Sequence, residues 1–282
     1  MRRVGPAGGL AVRHAADRGV GSGGSGDVVV GQTRLVDATQ LLEHLRIDGA
    51  RFVEAARASD LDAAVPTCPG WSVADLLVHT AEVFRGRTFI LATGATTRPA
   101  GAAWRREVPA REELVGWFEE ELAALVDQLT GADPRRRAWT WWPPEQTVGF
   151  WSRRMAHETA VHRVDAQAAL GRAEPVSTPL AVDGIDEALD LFLAARLGAG
   201  SLDGPATTVH LHATDAEGEW LVHLGPDGLD VERGHAKGDA AARGTASDLL
   251  LWLWGRVPLD RLEVFGDTDA LARLRAAAAG VT

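Results

Sequence analysis

The chain has 282 residues, 46% of them hydrophobic and 24% charged, so it is long and apolar enough to bury a substantial core. A formal net charge of −10 argues against nucleic acid as a partner, because phosphate binding normally requires a basic surface. The single cysteine excludes an internal disulfide framework, and no apolar run reaches the ~20 residues that span a membrane, so we expect a cytoplasmic protein with no membrane partner.

The first 34 residues are predicted to be a disordered tail. Glycine, alanine and arginine dominate this stretch, and residues 21–26 read GSGGSG, which is the composition of a flexible linker. Arg2 and Arg3 are not followed by the apolar stretch that an export signal needs. We expect the folded part to divide into a helical domain over 35–175 and an α+β domain over 176–282.

Amphipathic helical patterns fill the region 35–175. The first pattern opens near Asp37, the second follows Ser72 and runs to about Ala92, the third covers about 109–129, and the fourth runs from near Thr147 to near Gly171. Four amphipathic helices favour a four-helix bundle, and such bundles commonly build metal sites from side chains on facing helices.

The region 176–282 changes in composition and predicts a small α+β domain. Its histidines lack a consistent metal spacing with acidic residues, so we interpret them as structural; they are His210, His212, His223 and His235. The predicted elements are a helix over 182–197, strands over 207–212, 220–224 and 229–232, a helix over 246–254, a strand around 262–265 and a last helix to about 278.

Glu158 and His162 are the most informative pair in the chain. They are four residues apart on the fourth helix, so they share one face and can grip one ion. The rest of that stripe is apolar, and a buried carboxylate or imidazole needs a partner. The sequence leaves two partners open: a salt-bridged arginine, or a metal ion with a further ligand.

His79 offers that further ligand. It lies on the second helix in a stripe with Leu76 and Val83, which predicts that it faces inward. Two histidines and one carboxylate that leave a coordination position open suit a divalent ion such as Zn²⁺. A lone histidine on an apolar face is usually a satisfied core residue, and the pairing of Glu158 with His162 is what favours a ligand role.

Neighbouring polar residues have weaker assignments. His157 is five residues from His162, so the pair lacks the spacing of a zinc protease motif, and we interpret His157 as a packing or supporting residue. Asp165, one turn beyond His162, either orients a ligand imidazole or makes an ordinary structural hydrogen bond. Cys68 lacks a visible base and is interpreted as a small buried residue.

Two stretches carry a family resemblance. Residues 69–79, PGWSVADLLVH, and residues 153–166, RRMAHETAVHRVDA, resemble the mycothiol-dependent maleylpyruvate isomerase family. The resemblance implies a DinB-like four-helix bundle followed by a small sterol-carrier-like α+β domain, in an element order that covers roughly residues 37–275. It also implies that His79, Glu158 and His162 are the ligands of a divalent metal.

The resemblance further implies that an arginine of the C-terminal domain reaches the active site. The segment Trp252–Arg256, WLWGR, looks like the one that carries it, which makes Arg256 the candidate catalytic residue. Arg256 would bind a substrate carboxylate or the thiol cofactor. The alternative is an exposed arginine at the end of a helix, where a positive charge is favourable.

These observations favour a metal-dependent enzyme, an isomerase or a transferase, that uses mycothiol on a small electrophilic molecule. The metal, most plausibly Zn²⁺, would lower the pKa of the bound thiol. The alternative is a metal-stabilised protein that binds a small molecule or lipid and performs no catalysis.

Overall fold

A computed structural model describes residues 36–100, 103–198, 200 and 202–279. The predicted tail over 1–34 lies outside the described residues. The helices are α1 Ala38–Ala58, α2 Val73–Thr93, α3 Leu114–Leu129, α4 Val148–Ala168, α5 Thr178–Asp186, α6 Ala246–Leu253 and α7 Thr268–Ala279. Short 3₁₀ turns occupy Arg111–Glu113 and Leu259–Arg261, and a π-helical stretch, Glu187–Ala194, continues α5.

The helix starts follow from capping chemistry. Asp37 accepts hydrogen bonds from the first turn of α1 while the Gln40 side chain bonds back to the Asp37 backbone, and Ser72 with Asp75 does the same for α2. Thr147 caps α4 by accepting from the backbone of Phe150. These three starts are the ones that the sequence predicted.

The first four helices form a closed ring. Helix α1 packs on α4, α4 on α2, α2 on α3, and α3 on α1. The ring confirms the predicted helical N-terminal region and makes α2 and α4 neighbours, which brings His79 to the helix that carries Glu158 and His162. Within the described ranges, no helix combines the length and hydrophobicity needed to cross a membrane.

Helix α4 separates the two hydrophobic cores of the molecule. One core fills the ring and includes Phe84, Phe118 and Trp151. The other includes Ala156 and Ala160 of α4 and continues through α5, α6, α7 and the sheet. Nearly every residue of α4 is therefore buried, including charged ones. The predicted division near residue 175 stays a prediction.

The C-terminal region contains a five-stranded sheet in the order β3-β2-β1-β4-β5. Strand β1 pairs in parallel with β4, and the other pairs are antiparallel. The strands are β1 Thr207–Ala213, β2 Glu219–Gly225, β3 Gly228–Arg233, β4 Ala240–Gly244 and β5 Glu263–Gly266. Helices followed by a mixed sheet confirm the predicted α plus α+β class.

Strand β4 was not predicted from the sequence. Its sequence, AAARG, has no β-branched or aromatic residue and gives no strand signal of its own. Its pairing with β1 and β5 supplies the backbone hydrogen bonds, and buried Ala240 and Ala242 allow α6 and α7 to pack close to it. Tertiary contacts override local propensity here.

A buried ionic cluster joins α4 to α5. Asp183 accepts from Arg153 Nε at 2.6 Å and lies 2.7 Å from His157 Nε2. Burial on its own would raise the pKa of Asp183, but the hydrogen bond to His157 and the charge of Arg153 outweigh it and lower the pKa to about 2. His157 is thus a packing residue that contacts Asp183.

We predict that Asp183→Asn destabilises the fold by about 3 kcal/mol at neutral pH, because it leaves buried Arg153 without its carboxylate. The pKa of Asp183 in the folded protein lies below its ordinary value of 3.8. The contribution of the Asp183 carboxylate to the free energy of unfolding is therefore complete above about pH 4 and is lost as the pH falls toward 2. Urea unfolding measured from pH 2 to 7 should show the free energies of unfolding of the parent and of Asp183→Asn becoming equal in acid.

The matched control for this substitution is Asp127→Asn, on an exposed position of α3. It should leave the free energy of unfolding within about 0.5 kcal/mol of the parent at every pH. A difference between Asp183→Asn and the parent that stays constant from pH 2 to 7 would contradict the assignment.

Candidate metal centre

The predicted ligands meet between α2 and α4. Glu158 Oε1 lies 3.5 Å from His79 Nε2 and 3.3 Å from His162 Nε2. One donor atom from each of the three residues lies within 4.8 Å of the others. Glu158 and His162 are one helical turn apart, as their spacing predicted, and the packing of α2 on α4 adds His79.

The donor spacing fits a small divalent ion. Ligands bound tetrahedrally at about 2.0–2.1 Å from Zn²⁺ are separated from one another by roughly 3.3 Å. The distances from Glu158 to the two imidazoles are close to that value. Two imidazoles and one carboxylate could therefore hold such an ion with only small movements, and a fourth position would be left for another ligand.

His79 is less buried than its helical stripe predicts. Its side chain is 40% exposed, whereas those of Glu158 and His162 are 16% and 11% exposed. The Trp71 ring packs against the His79 ring with 4.9 Å between centroids. His79 therefore forms the solvent side of the centre, where a small molecule could approach, and Trp71 limits the movement of its ring.

Glu158 also has the arginine partner that the sequence left open. Arg154, one turn earlier on α4, pairs with Glu158 and with Glu187 of the π-helical stretch. Burial alone would raise the pKa of Glu158, but Arg154 and the two histidines hold that pKa well below the ordinary carboxyl range. The carboxylate is therefore ionised at neutral pH, as a metal ligand must be.

The second nitrogen of His162 is held by Asp165. The distance from His162 Nδ1 to Asp165 Oδ2 is 2.9 Å, so Nδ1 donates to the carboxylate while Nε2 points toward Glu158. This is the arrangement in which a carboxylate orients a metal-binding imidazole. Burial would lower the pKa of His162, but the bonds to Asp165 and Glu158 raise it to about 9.

Arg256 binds the Asp165 carboxylate. Its Nε and Nη2 donate to the two carboxylate oxygens at 3.0 and 2.9 Å, and its Nη1 donates to the Trp254 carbonyl. The side chain is 8% exposed, so Arg256 is not the exposed helix-end arginine that was the alternative. Arg256 is therefore linked to His162 through Asp165, since the same carboxylate contacts both side chains.

Backbone geometry at the end of α6 directs Arg256 inward. Gly255 has φ of 74°, a left-handed conformation that glycine adopts without strain, and Arg256 N donates to Leu251 O at 2.7 Å. A Cβ added to Gly255 would lie 1.6 Å from Arg275 Nη2. The left-handed conformation therefore favours glycine in the WLWGR segment, and a larger residue would also have to displace the end of the Arg275 side chain.

Cys68 also contacts Asp165. Its Sγ lies 3.4 Å from Asp165 Oδ2 and 3.6 Å from Arg256 Nη2, and Thr67 Oγ1 donates to Asp165 Oδ1 at 2.6 Å. Burial and the nearby carboxylate raise the pKa of Cys68 to about 12, so the thiol keeps its proton at neutral pH. Cys68 helps to fix Asp165, and a protonated thiol does not favour a nucleophilic role.

Sequence analysis missed Arg87. It lies about two turns after His79 on α2, so it projects from nearly the same helix face. Its guanidinium stacks on Trp151 at 4.6 Å, and its charge acts on Glu158. Its Nε is buried without a hydrogen-bond partner, and among the described residues no carboxylate forms an ion pair with it. The spacing from His79 was the available signal.

Comparisons with known proteins agree with the resemblance seen in the sequence. Residues 42–167 match the family model described as the mycothiol maleylpyruvate isomerase N-terminal domain, and residues 179–273 match the MDMPI C-terminal domain. Together the two matches span most of the chain. A comparison with curated proteins finds no match.

Two similar solved structures share the fold. The crystal structure of the mycothiol-dependent maleylpyruvate isomerase matches with a TM-score of 0.58 and 14% identity, and that of a histidine-to-alanine variant matches with 0.61 and 13%. Each match covers 83% of this chain and 95% of the other. At these identities the likeness concerns architecture.

The geometry predicts that metal binding at this centre is linked to proton release. In the metal-free protein the pKa of His162 is about 9, so below that pH an ion must displace a proton from this imidazole. The affinity for Zn²⁺ should therefore rise about tenfold per pH unit between pH 7 and 9. Competition with a coloured chelator measures it.

The ion that belongs to this centre is identified by difference. Glu158→Ala should bind one ion fewer per chain than the parent, whereas His44→Gln, which changes a histidine of α1, should bind the same number. An affinity that does not vary from pH 7 to 9, or equal metal content in Glu158→Ala and the parent, would exclude the trio as ligands.

Proposed function

The chain belongs to the mycothiol maleylpyruvate isomerase family, and on that basis we propose that it is a metal-dependent, mycothiol-using enzyme acting on a small electrophilic molecule. The observation that carries the proposal is the meeting of His79, Glu158 and His162 at donor distances suited to a divalent ion. We place the reaction in the cytoplasm, a reducing compartment in which a thiol cosubstrate stays available.

The three donors would hold the ion, most plausibly Zn²⁺. A bound divalent ion would lower the pKa of a thiol that joins it, so that mycothiol is present as thiolate at neutral pH. Glu158 contributes negative charge because Arg154 keeps it ionised. The bond from Nδ1 of His162 to Asp165 leaves Nε2 free to face the ion.

The isomerase reaction needs only thiolate addition and loss. The sulfur forms a bond to one carbon of a cis double bond conjugated to a carbonyl, and the electron pair of the double bond moves onto the carbonyl oxygen. The bond between the carbons is now single and rotates. When the electron pair returns, the carbon–sulfur bond breaks and the trans double bond forms. In a transferase, the adduct takes up a proton and persists.

We assign Arg256 to the active site as a positioning residue. Both of its carboxylate-facing donors are engaged by Asp165, and that same carboxylate orients His162. Arg256 therefore acts on the reaction through the imidazole. Arg87 is the side chain whose charge could bind an anionic substrate. Burial lowers the pKa of Arg87 only to about 10, so this side chain stays protonated at neutral pH.

The test of the function is turnover that depends on both metal and thiol. The Zn²⁺-loaded protein should isomerise a maleyl-type electrophile only when mycothiol is added. Glu158→Gln should lower kcat/KM by more than about 100-fold, since loss of supporting residues around a metal alone costs about 10- to 100-fold. Glu120→Gln, on an exposed position of α3, is the matched control and should retain activity.

Two results would contradict this function. Equal turnover with and without mycothiol would remove the thiol from the reaction. Metal binding with no mycothiol affinity and no turnover of maleyl-type or halogenated electrophiles would favour the alternative, a non-catalytic protein that binds a small molecule or lipid.

Arg87→Gln should raise KM for an anionic substrate about 10- to 100-fold, because a hydrogen bond to a charged group contributes about 1.5–3 kcal/mol. The metal content and kcat should change little, since Arg87 is not a ligand. Steady-state kinetics with a charged substrate and with its neutral ester separates the loss of a charge contact with the substrate from a structural effect of the substitution. Arg106→Gln, on an exposed position, is the control. An equal KM increase for the neutral ester would show that Arg87 acts on structure instead.

A further inference from the structure

A second group of metal-capable side chains lies on the C-terminal sheet. Val209 and Leu211 of β1 are buried in the core with the helices, so the alternating residues His210 and His212 project from the opposite face. The antiparallel register places Glu219 of β2 directly across from His212. Two imidazoles and a carboxylate are therefore brought together by strand geometry.

His235 joins this group from the loop after β3. Gly234 N donates to the Glu219 carbonyl at 3.0 Å, which turns the chain back over β2. The carboxylate of Glu219 then lies 2.7 Å from His235 Nδ1, 2.9 Å from His210 Nε2 and 3.1 Å from His212 Nδ1. One carboxylate has three imidazole nitrogens around it.

The arrangement gives His210, His212 and His235 a shared acidic partner that the sequence did not reveal. Their interpretation as structural rested on the lack of an acidic residue at metal spacing in the sequence. The acid is supplied through the β1–β2 pairing instead, and donor atoms of His210, His212 and Glu219 all lie within 4.8 Å of one another. The sequence signal was the alternation His-x-His on one strand.

We infer that His210, His212 and Glu219, with His235 as a fourth donor, form a second site for a divalent transition-metal ion. Three nitrogen donors and one oxygen favour Zn²⁺ or a similar ion over Mg²⁺ or Ca²⁺, which prefer oxygen ligands throughout. The site lies away from the bundle and is independent of the proposed function.

Exposure around the second site allows an ion to enter. The side chains of His212 and His235 are 33% and 82% exposed, while that of His210 is only 9% exposed. His212, Glu219 and His235 also line an open cavity of about 450 Å³. The site thus has a buried anchor in His210 and more exposed outer donors in His212 and His235.

Neighbouring charges leave the second site available. Arg243 of β4 is adjacent to His212 in the sheet register, but it pairs with Glu263 at 3.5 Å. On the same face His223 lies 3.2 Å from Glu232 and across the β2–β3 register from Asp230, and in the described part of the chain these residues do not form a group of three donors within 4.8 Å. His223 is therefore the control position for the experiment, because it has the same type of side chain as the proposed ligands but lacks enough neighbouring donors to hold an ion.

Tag-free protein carrying Glu158→Gln tests the second site without the first. Zn²⁺ titration should find one ion per chain with a Kd of about 10 µM or tighter. Adding His212→Gln or Glu219→Gln should weaken Zn²⁺ binding at least about tenfold, because each substitution removes a side chain that binds the ion directly. Adding His223→Gln should leave the Kd unchanged. The same series in a His79→Ala background repeats the test with a different disruption of the bundle centre.

A thermal shift gives a second readout. Zn²⁺ should raise the Tm of the Glu158→Gln protein, because an ion that binds only the folded state stabilises it. His212→Gln, at a partly exposed position, should remove this rise without lowering the Tm of the metal-free protein. Absence of Zn²⁺ binding, or binding that His212→Gln and Glu219→Gln leave unchanged, would overturn the inference. Failure of the bundle centre to bind metal or turn over substrate would not affect this result.

Discussion

The structure depends on charged side chains buried along α4, because each is stable there only beside a partner of opposite charge. The partners come from different elements, so ionic pairing fixes how those elements pack around the helix. Arg163, which is fully buried, bonds Asp48 of α1 at 3.0 Å and the carbonyls at Glu174 and Pro175. Arg153 and Arg154 bond α5 and the π-helical stretch that continues it.

The candidate centre is a continuation of this network. Arg154 links a structural partner, Glu187, to the carboxylate of Glu158. On the other side, Asp165 receives Arg256 from the end of α6 and orients His162. Interactions that hold the C-terminal region against α4 are thus the same ones that set the charge and orientation of the proposed ligands.

Features encoded by short spacing were predictable from the sequence. Capping at Asp37 and Ser72 and the pairing of Glu158 with His162 depend on residues three or four positions apart. Strand β4 was not predictable, because it depends on pairing with β1 and β5, which lie far from it in the sequence. The His210 cluster was not predicted, because it depends on the register of the β1–β2 hairpin and on the loop after β3, which the His-x-His alternation alone does not fix. Arg87 was missed for another reason: its spacing from His79 was visible in the sequence, but its stacking on Trp151 and its unpaired Nε are seen only in the structure.

The contact between Arg256 and the loop before α2 joins segments 188 positions apart in the chain. A ribosome delivers the two ends of that contact at very different times. Asp165 therefore lacks its guanidinium until α6 and the WLWGR segment at its end have been made. A prematurely terminated product that stops short of WLWGR would therefore carry the three proposed donors beside a buried carboxylate that keeps His162 and Thr67 but lacks its arginine, and quality control in the cell would meet an incompletely folded molecule.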